Sequence, residues 1–376
     1  MRAASGSRPR APPFGKIASS MTASTSNRKS ACVLRLTALG DCVNCFGMLC
    51  AMRAAEPKAD LEWIIDQRFA PLFRDAEGRD IIPMVPLDFS RGIAGAILQA
   101  RRALSGRRFD ALLDMQTSLK ASLVSLAVRA RERLGYDSER SREGQCLFVS
   151  RKVPSPPNPH VLAGFMAFAK AAGFGDLQPR WDFRLAEGEL APYLRLSSGR
   201  PLFTIAPASA KPQKNWSPEG YAALADYAAG HGFRTVLAGT SSKHDLALCA
   251  RISALASCEC LNLCGRTSLR QLAALLACSA LVLAPDSACM HIASAVNTPV
   301  IGLFAVHNPA RVGSWKYPDL WVSAYRELAK AELGGRHIPW RYRVRDERAM
   351  SHITIDAVKD AFDTAMDHYA PQEGID

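Results

Sequence analysis

The feature that most constrains the fold is a run of short apolar stretches alternating with helix-period segments, interrupted once and then repeated. Cys32-Val-Leu-Arg-Leu, Leu61-Glu-Trp-Ile-Ile, Asp80-Ile-Ile-Pro-Met-Val and Phe109-Asp-Ala-Leu-Leu-Asp read as strands. Helical spacing lies between and after them, over 43–55, 93–104, 118–129 and, past the breaker cluster Pro154-Ser-Pro-Pro-Asn-Pro, 160–172. A loop-like run then reaches Pro201, and the alternation restarts. Strands are expected over 202–206, 235–238, 260–263, 280–284 and 300–304, with helices over 218–231, 245–256, 268–278 and 289–296, and a last helix over 356–369. Strands alternating with helices imply a parallel sheet covered on both faces. Two such sets predict two doubly wound, Rossmann-like α/β domains facing across a cleft, with ligands beyond the carboxyl ends of the strands. A chain of 376 residues suits that division. The expected bounds are a leader over 1–30, a first domain over 31–187, a linker over 188–200, a second domain over 201–355, and a C-terminal helix and tail over 356–376.

Charge is uneven along this frame. Of the net +12, six charges belong to Arg2, Arg8, Arg10, Lys16, Arg28 and Lys29, in a leader without an acid. That leader is rich in Ser, Ala and Pro and is expected to be disordered, since it cannot bury enough surface to offset its ordering entropy. Residues 31–184 carry +5 and residues 185–376 only +1. No apolar stretch is long enough to span a bilayer. The 11 cysteines fall mostly in apolar runs, as small buried hydrophobes of a reducing compartment do. Neither Cys42-x-x-Cys45 as a redox pair nor Cys258, Cys260 and Cys264 as zinc ligands has the context such sites need.

No GxGxxG fingerprint, GxxxxGK[ST] loop or GxSxG elbow is present, which argues against ordinary dehydrogenases, P-loop ATPases and α/β hydrolases. Three strand ends carry the chemistry instead. Leu36-Thr-Ala-Leu-Gly-Asp41 opens the first helix, with Gly40 allowing close backbone approach and Asp41 placed as either a helix-start carboxylate or a general base. Ala206-Pro-Ala-Ser-Ala-Lys-Pro-Gln-Lys-Asn-Trp216 offers Ser209, Lys211 and Lys214 to phosphate oxygens. Ala284-Pro-Asp-Ser-Ala-Cys-Met-His291 ends a strand and begins a small-residue helix whose first N–H groups can meet an anion.

Together with Asp114-Met-Gln-Thr-Ser-Leu-Lys120, Gly135-Tyr-Asp, Ser141-Arg-Glu-Gly144 and Lys214-Asn-Trp216, these segments resemble the ADP-heptose:lipopolysaccharide heptosyltransferases, family 9 glycosyltransferases, most nearly their heptosyltransferase I branch. The resemblance implies a GT-B fold, with an acceptor-binding first domain and a nucleotide-sugar-binding second domain. It implies inverting transfer of heptose from ADP-heptose to the lipopolysaccharide inner core, a Kdo-lipid A type acceptor. Asp41 takes the place of the base. Ser209, Lys214, Asp286, Ser287, Ala288 and His291 take the places of donor-binding residues, and Lys120, Arg140 and Arg142 those of acceptor contacts. Neither a metal nor a cofactor is expected, and no DxD-type motif stands out. The implied partners are the nucleotide-sugar, the anionic acceptor and, peripherally, the cytoplasmic face of the inner membrane. No nucleic-acid module is recognisable.

The chain departs from the family pattern at Ala288, where Gly is usual, at Phe304-Ala-Val-His307, at Ala210, and at Asp245, the nearest counterpart of a displaced acid. These departures leave room for another nucleotide-sugar or for a degenerate homologue that binds without catalysis. A nucleotide-sugar epimerase of similar architecture would need a His/Glu constellation in the first domain, which has only His160.

Overall fold

The computed structural model describes residues 29–369. All but the last two positions of the basic leader lie outside the described residues, as does the tail beyond Tyr369. The first domain runs β1 (Ser30–Leu34), α1 (Leu39–Ala55), β2 (Asp60–Asp66), β3 (Met84–Leu87), α2 (Gly92–Ala103), β4 (Phe109–Asp114), α3 (Leu119–Ser125), β5 (Ala130–Tyr136), β6 (Arg151–Val153) and α4 (Val161–Ala171). After α5 (Glu187–Ser197) the second runs β7 (Leu202–Ile205), α6 (Pro218–Gly230), β8 (Arg234–Leu237), α7 (Lys243–Leu255), β9 (Cys260–Asn262), α8 (Leu269–Ala277), β10 (Leu281–Pro285), α9 (Ala288–Ala295), β11 (Val300–Phe304), α10 (Pro309–Val312), β12 (Trp321–Ser323), α11 (Tyr325–Glu332) and α12 (Ile355–Tyr369).

Both sheets are six-stranded, with pairings parallel throughout. Their orders are β3-β2-β1-β4-β5-β6 and β12-β11-β10-β7-β8-β9. Counted within its own domain, each sheet has the order 3-2-1-4-5-6. The order therefore reverses between β1 and β4 in one domain and between β7 and β10 in the other, and each reversal opens a crevice at the strands' carboxyl ends. The central strands β1, β7, β10 and β11 are buried along nearly their whole length, as strands covered by helices on both faces must be.

Local chemistry accounts for several helix starts. Ser217 accepts from the Gly220 N–H with Pro218 in the first turn, so α6 starts there. Ser268 and Gln271 form a reciprocal capping box at α8. Three expectations are corrected. The loop-like stretch 188–200 is largely helical: α5 buries no residue, so its periodicity is faint, but Glu189 accepts from the Ala186 N–H and binds Arg270 of α8. The helix expected over 118–129 stops at Ser125, because Arg129 and Ala130 already lead into β5. Arg131-Glu132-Arg133 hides that strand, and the Arg133 guanidinium is absorbed by Phe148 O, Val128 O and Ser125 Oγ. The basic run after Arg336 makes a single bridge from Arg343 to His307 and buries Val344. The third strand also falls later than expected, at Met84–Leu87, as an edge strand that tolerates Pro86.

The domains touch along the cleft's back. Helix α1 packs on α9. The His160 ring, at the start of α4, lies 2.9 Å through Nε2 from the Gly313 carbonyl and meets Trp315 edge-on. Arg270 of α8 donates to the carbonyls of Arg74 and Phe183. Helix α12 packs on α6 and β12, so the C-terminal helix is part of the second domain's shell.

Candidate functional site

The loop after β1 is held from β4's end. Gln116 Oε1 accepts from the Leu36 and Thr37 N–H groups, at 2.7 and 3.1 Å, and its Nε2 donates to Thr37 Oγ1 at 3.0 Å. The fixed loop delivers Gly40 against the second domain. A Cβ on Gly40 would overlap the His291 ring and stand 3.1 Å from its Nε2, so only glycine lets the two loops meet here. Asp41 follows in the first turn of α1, half exposed, and its carboxylate is paired with Arg35. Arg35 also donates to Met115 O and sits 5.4 Å over the Phe165 ring, with Nε buried and unpartnered.

The facing side comes from the loops after β7 and β10, the two strands at the order reversal. Lys214 Nζ donates to the Asp286 carbonyl and, at 3.1 Å, to its carboxylate. The same carboxylate oxygen lies 2.5 Å from His307 Nδ1. Burial alone would raise the Asp286 pKa, but the hydrogen bond to His307 and the Lys214 charge outweigh it and hold the carboxyl well below the usual carboxylate range. His291, one turn into α9, has its pKa lowered by burial against the opposing pull of Asp286 and Asp41. It is therefore a neutral donor or acceptor near pH 7.

Ser209 shapes this wall more than it faces the opening: its hydroxyl donates to Lys211 O at 2.8 Å while its N–H donates to Asn215 Oδ1. Ser287 precedes α9 with a buried, unpartnered Oγ, and Ala288 is the helix's first residue. Asp245 accepts from Thr240 and Ser242 and closes the loop into α7, so its carboxylate is committed to the fold.

The three basic residues expected on the acceptor side do not form one group. Arg140 is buried, with its guanidinium bonded to Asp137 and the Val153 carbonyl. Arg142 is exposed and donates to the carbonyls of Glu139 and Ser141. Lys120 stands 3.2 Å over the Phe89 ring, beyond Asp66 and Arg68. Sequence reasoning missed Arg35 and met His307 only as a departure. The signal for Arg35 was a lone charge inside the apolar run Cys32–Leu36, five residues before Gly40.

Ten buried side-chain polar atoms among the described residues lack a partner. Six belong to this constellation: Arg35 Nε, Asn215 Nδ2, Ser287 Oγ, His307 Nε2, Arg311 Nε and Arg341 Nε. Orphans at such density mark a site that expects a polar ligand. Among the described residues, no three His, Cys, Asp or Glu side chains are grouped to hold a metal ion. The Cys42 and Cys45 thiols are buried and their pKa values are pushed up by that burial, away from redox chemistry.

Comparisons with known proteins agree with this geometry. The family model for glycosyltransferase family 9 (heptosyltransferase) matches residues 97–335. The lipopolysaccharide core heptosyltransferase OpsX of Haemophilus influenzae is 36% identical over 335 residues, 88% of this chain and 95% of that protein. Lipopolysaccharide heptosyltransferase 2 of Salmonella typhimurium is 28% identical, over 72% of this chain and 81% of its own length. Among solved structures, a family 9 glycosyltransferase from Veillonella parvula superposes with TM-score 0.71 at 19% identity, covering 90% of this chain and 97% of its own. Escherichia coli heptosyltransferase WaaC with ADP does so with TM-score 0.67 at 21% identity, covering 89% and 99%. Two 3-2-1-4-5-6 sheets opposed across a cleft are the GT-B fold of these structures. The chain belongs to glycosyltransferase family 9, the heptosyltransferases, and is a glycosyltransferase.

Proposed function

We propose that this chain transfers heptose from ADP-heptose to the inner core of lipopolysaccharide, a Kdo-lipid A type acceptor, with inversion at the anomeric carbon. The observation that carries the reading is the contact of Gly40 with the His291 ring. It sets a carboxylate of the first domain, Asp41, against the Lys214–Asp286–His291 wall of the second.

In this reading the Asp41 carboxylate takes the acceptor's hydroxyl proton while the oxygen attacks the anomeric carbon. The bond from that carbon to the diphosphate oxygen breaks, and ADP leaves with the electron pair. Attack opposite the leaving group in one displacement inverts the centre. Arg35, paired with the Asp41 carboxylate, holds it in place before the acceptor arrives. Charge building on the diphosphate meets Lys214, the His291 ring, Ser287 Oγ and the first N–H groups of α9, an arrangement that stabilises a leaving phosphate with protein donors. We further propose that neither metal nor cofactor takes part.

The acceptor would be met at the inner membrane's cytoplasmic face by peripheral docking. The +5 of residues 31–184 supports this electrostatically, and no helix among the described residues is long and apolar enough to cross a membrane.

A thermal-shift panel of ADP-, UDP- and GDP-sugars tests the donor, because stabilisation follows ligand concentration over its dissociation constant. ADP-heptose is expected to raise the melting temperature most. A response confined to UDP-sugars would reject it.

A further inference from the structure

The basic segment 336–348 finds its place across the cleft. The Trp340 indole N–H donates to the Pro159 carbonyl of the first domain at 2.8 Å, and the Val344 N–H donates to the Val306 carbonyl of the second at 3.0 Å. Two guanidinium groups lie against the Trp340 ring, Arg311 at 4.7 Å and Arg341 at 5.2 Å from its centroid. Arg341 Nη2 donates to the Arg140 carbonyl at 2.6 Å. Among the described residues, no ion pair joins either arginine to a carboxylate, and the Nε of each is buried without a partner.

Two like charges gathered on one ring, with buried donors unspent, are costly unless an anion stands beside them. Burial and then the charges of Arg311 and Arg142 lower the Arg341 pKa to about 10. The carboxylates of Asp41 and Asp286 both act on Arg311, so that side chain stands within electrostatic reach of the proposed base.

We propose that Arg311 and Arg341, braced on Trp340, form an oxyanion site for a carboxylate or phosphate group borne by the acceptor. The site is furnished by the second domain and its C-terminal strap, outside the first-domain residues that the sequence nominates. Guanidinium forks suit either group, and the indole fixes their planes. The assignment to the acceptor rests on the glycosyltransferase reading above; the existence of the site does not.

The first test needs no turnover. The full chain is titrated with inorganic phosphate at fixed ionic strength by calorimetry, with and without saturating ADP. Wild type is expected to bind phosphate in both conditions. The double variant Arg311→Gln/Arg341→Gln should weaken it at least tenfold. Arg341→Lys keeps the charge and the fold while losing the fork, and should weaken it about threefold. Unchanged phosphate affinity in the double variant, or phosphate binding that ADP abolishes in wild type, overturns the proposal; the latter would give the pair to the donor.

Transfer assays then separate the sources, using intact, carboxyl-esterified and dephosphorylated acceptors. The modification that erases the difference between wild type and the double variant names the group bound. A double variant that slows transfer equally to all three overturns the acceptor assignment. Failure of wild type to transfer heptose at all would strike the functional reading alone, since the phosphate titration decides the site independently.

Discussion

The two domains share one topology and use it for different chemistry. In each, the candidate site residues follow the strands flanking the order reversal: Asp41 after β1 and Gln116 after β4 in the first domain, Lys214 after β7 and Asp286 to His291 after β10 in the second. The second domain's charged residues pair with one another: Lys214 and His307 both meet the Asp286 carboxylate in a mostly buried set, while His307 Nε2 and Ser287 Oγ stay open for a ligand. In the first domain Asp41 is paired with Arg35, and Arg142 donates to the backbone carbonyls of Glu139 and Ser141. A phosphate cradle built from mutual partners is preorganised for one small, doubly charged group. A surface of separately held cations suits a large anionic acceptor that brings its own shape.

If the first domain contributes the proton acceptor and the second the phosphate wall, the sharpest break comes from Asp41→Asn. It should cut turnover by about 10³-fold, within the range for removing a positioned base, while ADP-heptose still raises the melting temperature as in wild type. Steady-state transfer and thermal shift measure the two halves separately. Wild-type turnover in this variant would remove Asp41 from the base role and leave the second domain to do the chemistry alone.

The joint between the domains makes a prediction about pH. His160 is held neutral, its pKa lowered to about 4 chiefly by burial. Its Nδ1 accepts from the Leu162 N–H and its Nε2 faces the Gly313 carbonyl, so the ring caps α4 in one domain and grips the other. The folded pKa lies below the unfolded value near 6.5, so the unfolded chain binds the proton more readily. Stability from this residue is whole above about pH 6.5 and falls as pH drops toward 4, by up to about 3 kcal/mol. Denaturant unfolding of wild type and His160→Gln from pH 7.5 to 4.5 should show wild type losing more over that window. Parallel losses would separate the ring from the acid response.

The donor side is sharpened by Lys214→Ala. The buried Asp286 carboxylate would keep His307 but lose its lysine, and the diphosphate would lose a charge-assisted partner. Donor KM is expected to rise about 30-fold, near 2 kcal/mol, with kcat lowered less. An unchanged donor KM would mean that Lys214 serves Asp286 alone.

Much of this was legible in the chain. The alternation of strand and helix periods located four of the first sheet's six strands and five of the second's six, missing β5, β6 and β12, and the Gly-Asp, Lys-Asn-Trp and Asp-Ser-x-x-x-His turns fell at strand ends. Illegible were contacts set by tertiary placement. Nothing local in Phe304-Ala-Val-His307 says that His307 will meet Asp286, 21 positions earlier. Arg140 reads like Arg142, yet one is buried against Asp137 and the other is exposed, because only the former's guanidinium turns inward under β6. Segments whose stability rests on capping or on a single long-range pair, such as α5 and the strap after Arg336, carry almost no periodic signal.

The smallest expected effect tests the loose side of the comparison. Arg142 is exposed and bonded only to the carbonyls of Glu139 and Ser141, so Arg142→Ala should change folding stability by less than about 0.5 kcal/mol. If it helps to gather an anionic acceptor, acceptor KM should rise about threefold at low salt. That rise should fade at 0.15 M salt, where the Debye length falls to about 8 Å. Donor KM should not move, since the second domain's phosphate wall does not use this residue. A salt-independent rise would instead place Arg142 in a fixed contact, and the first domain would then be as preorganised for its ligand as the second.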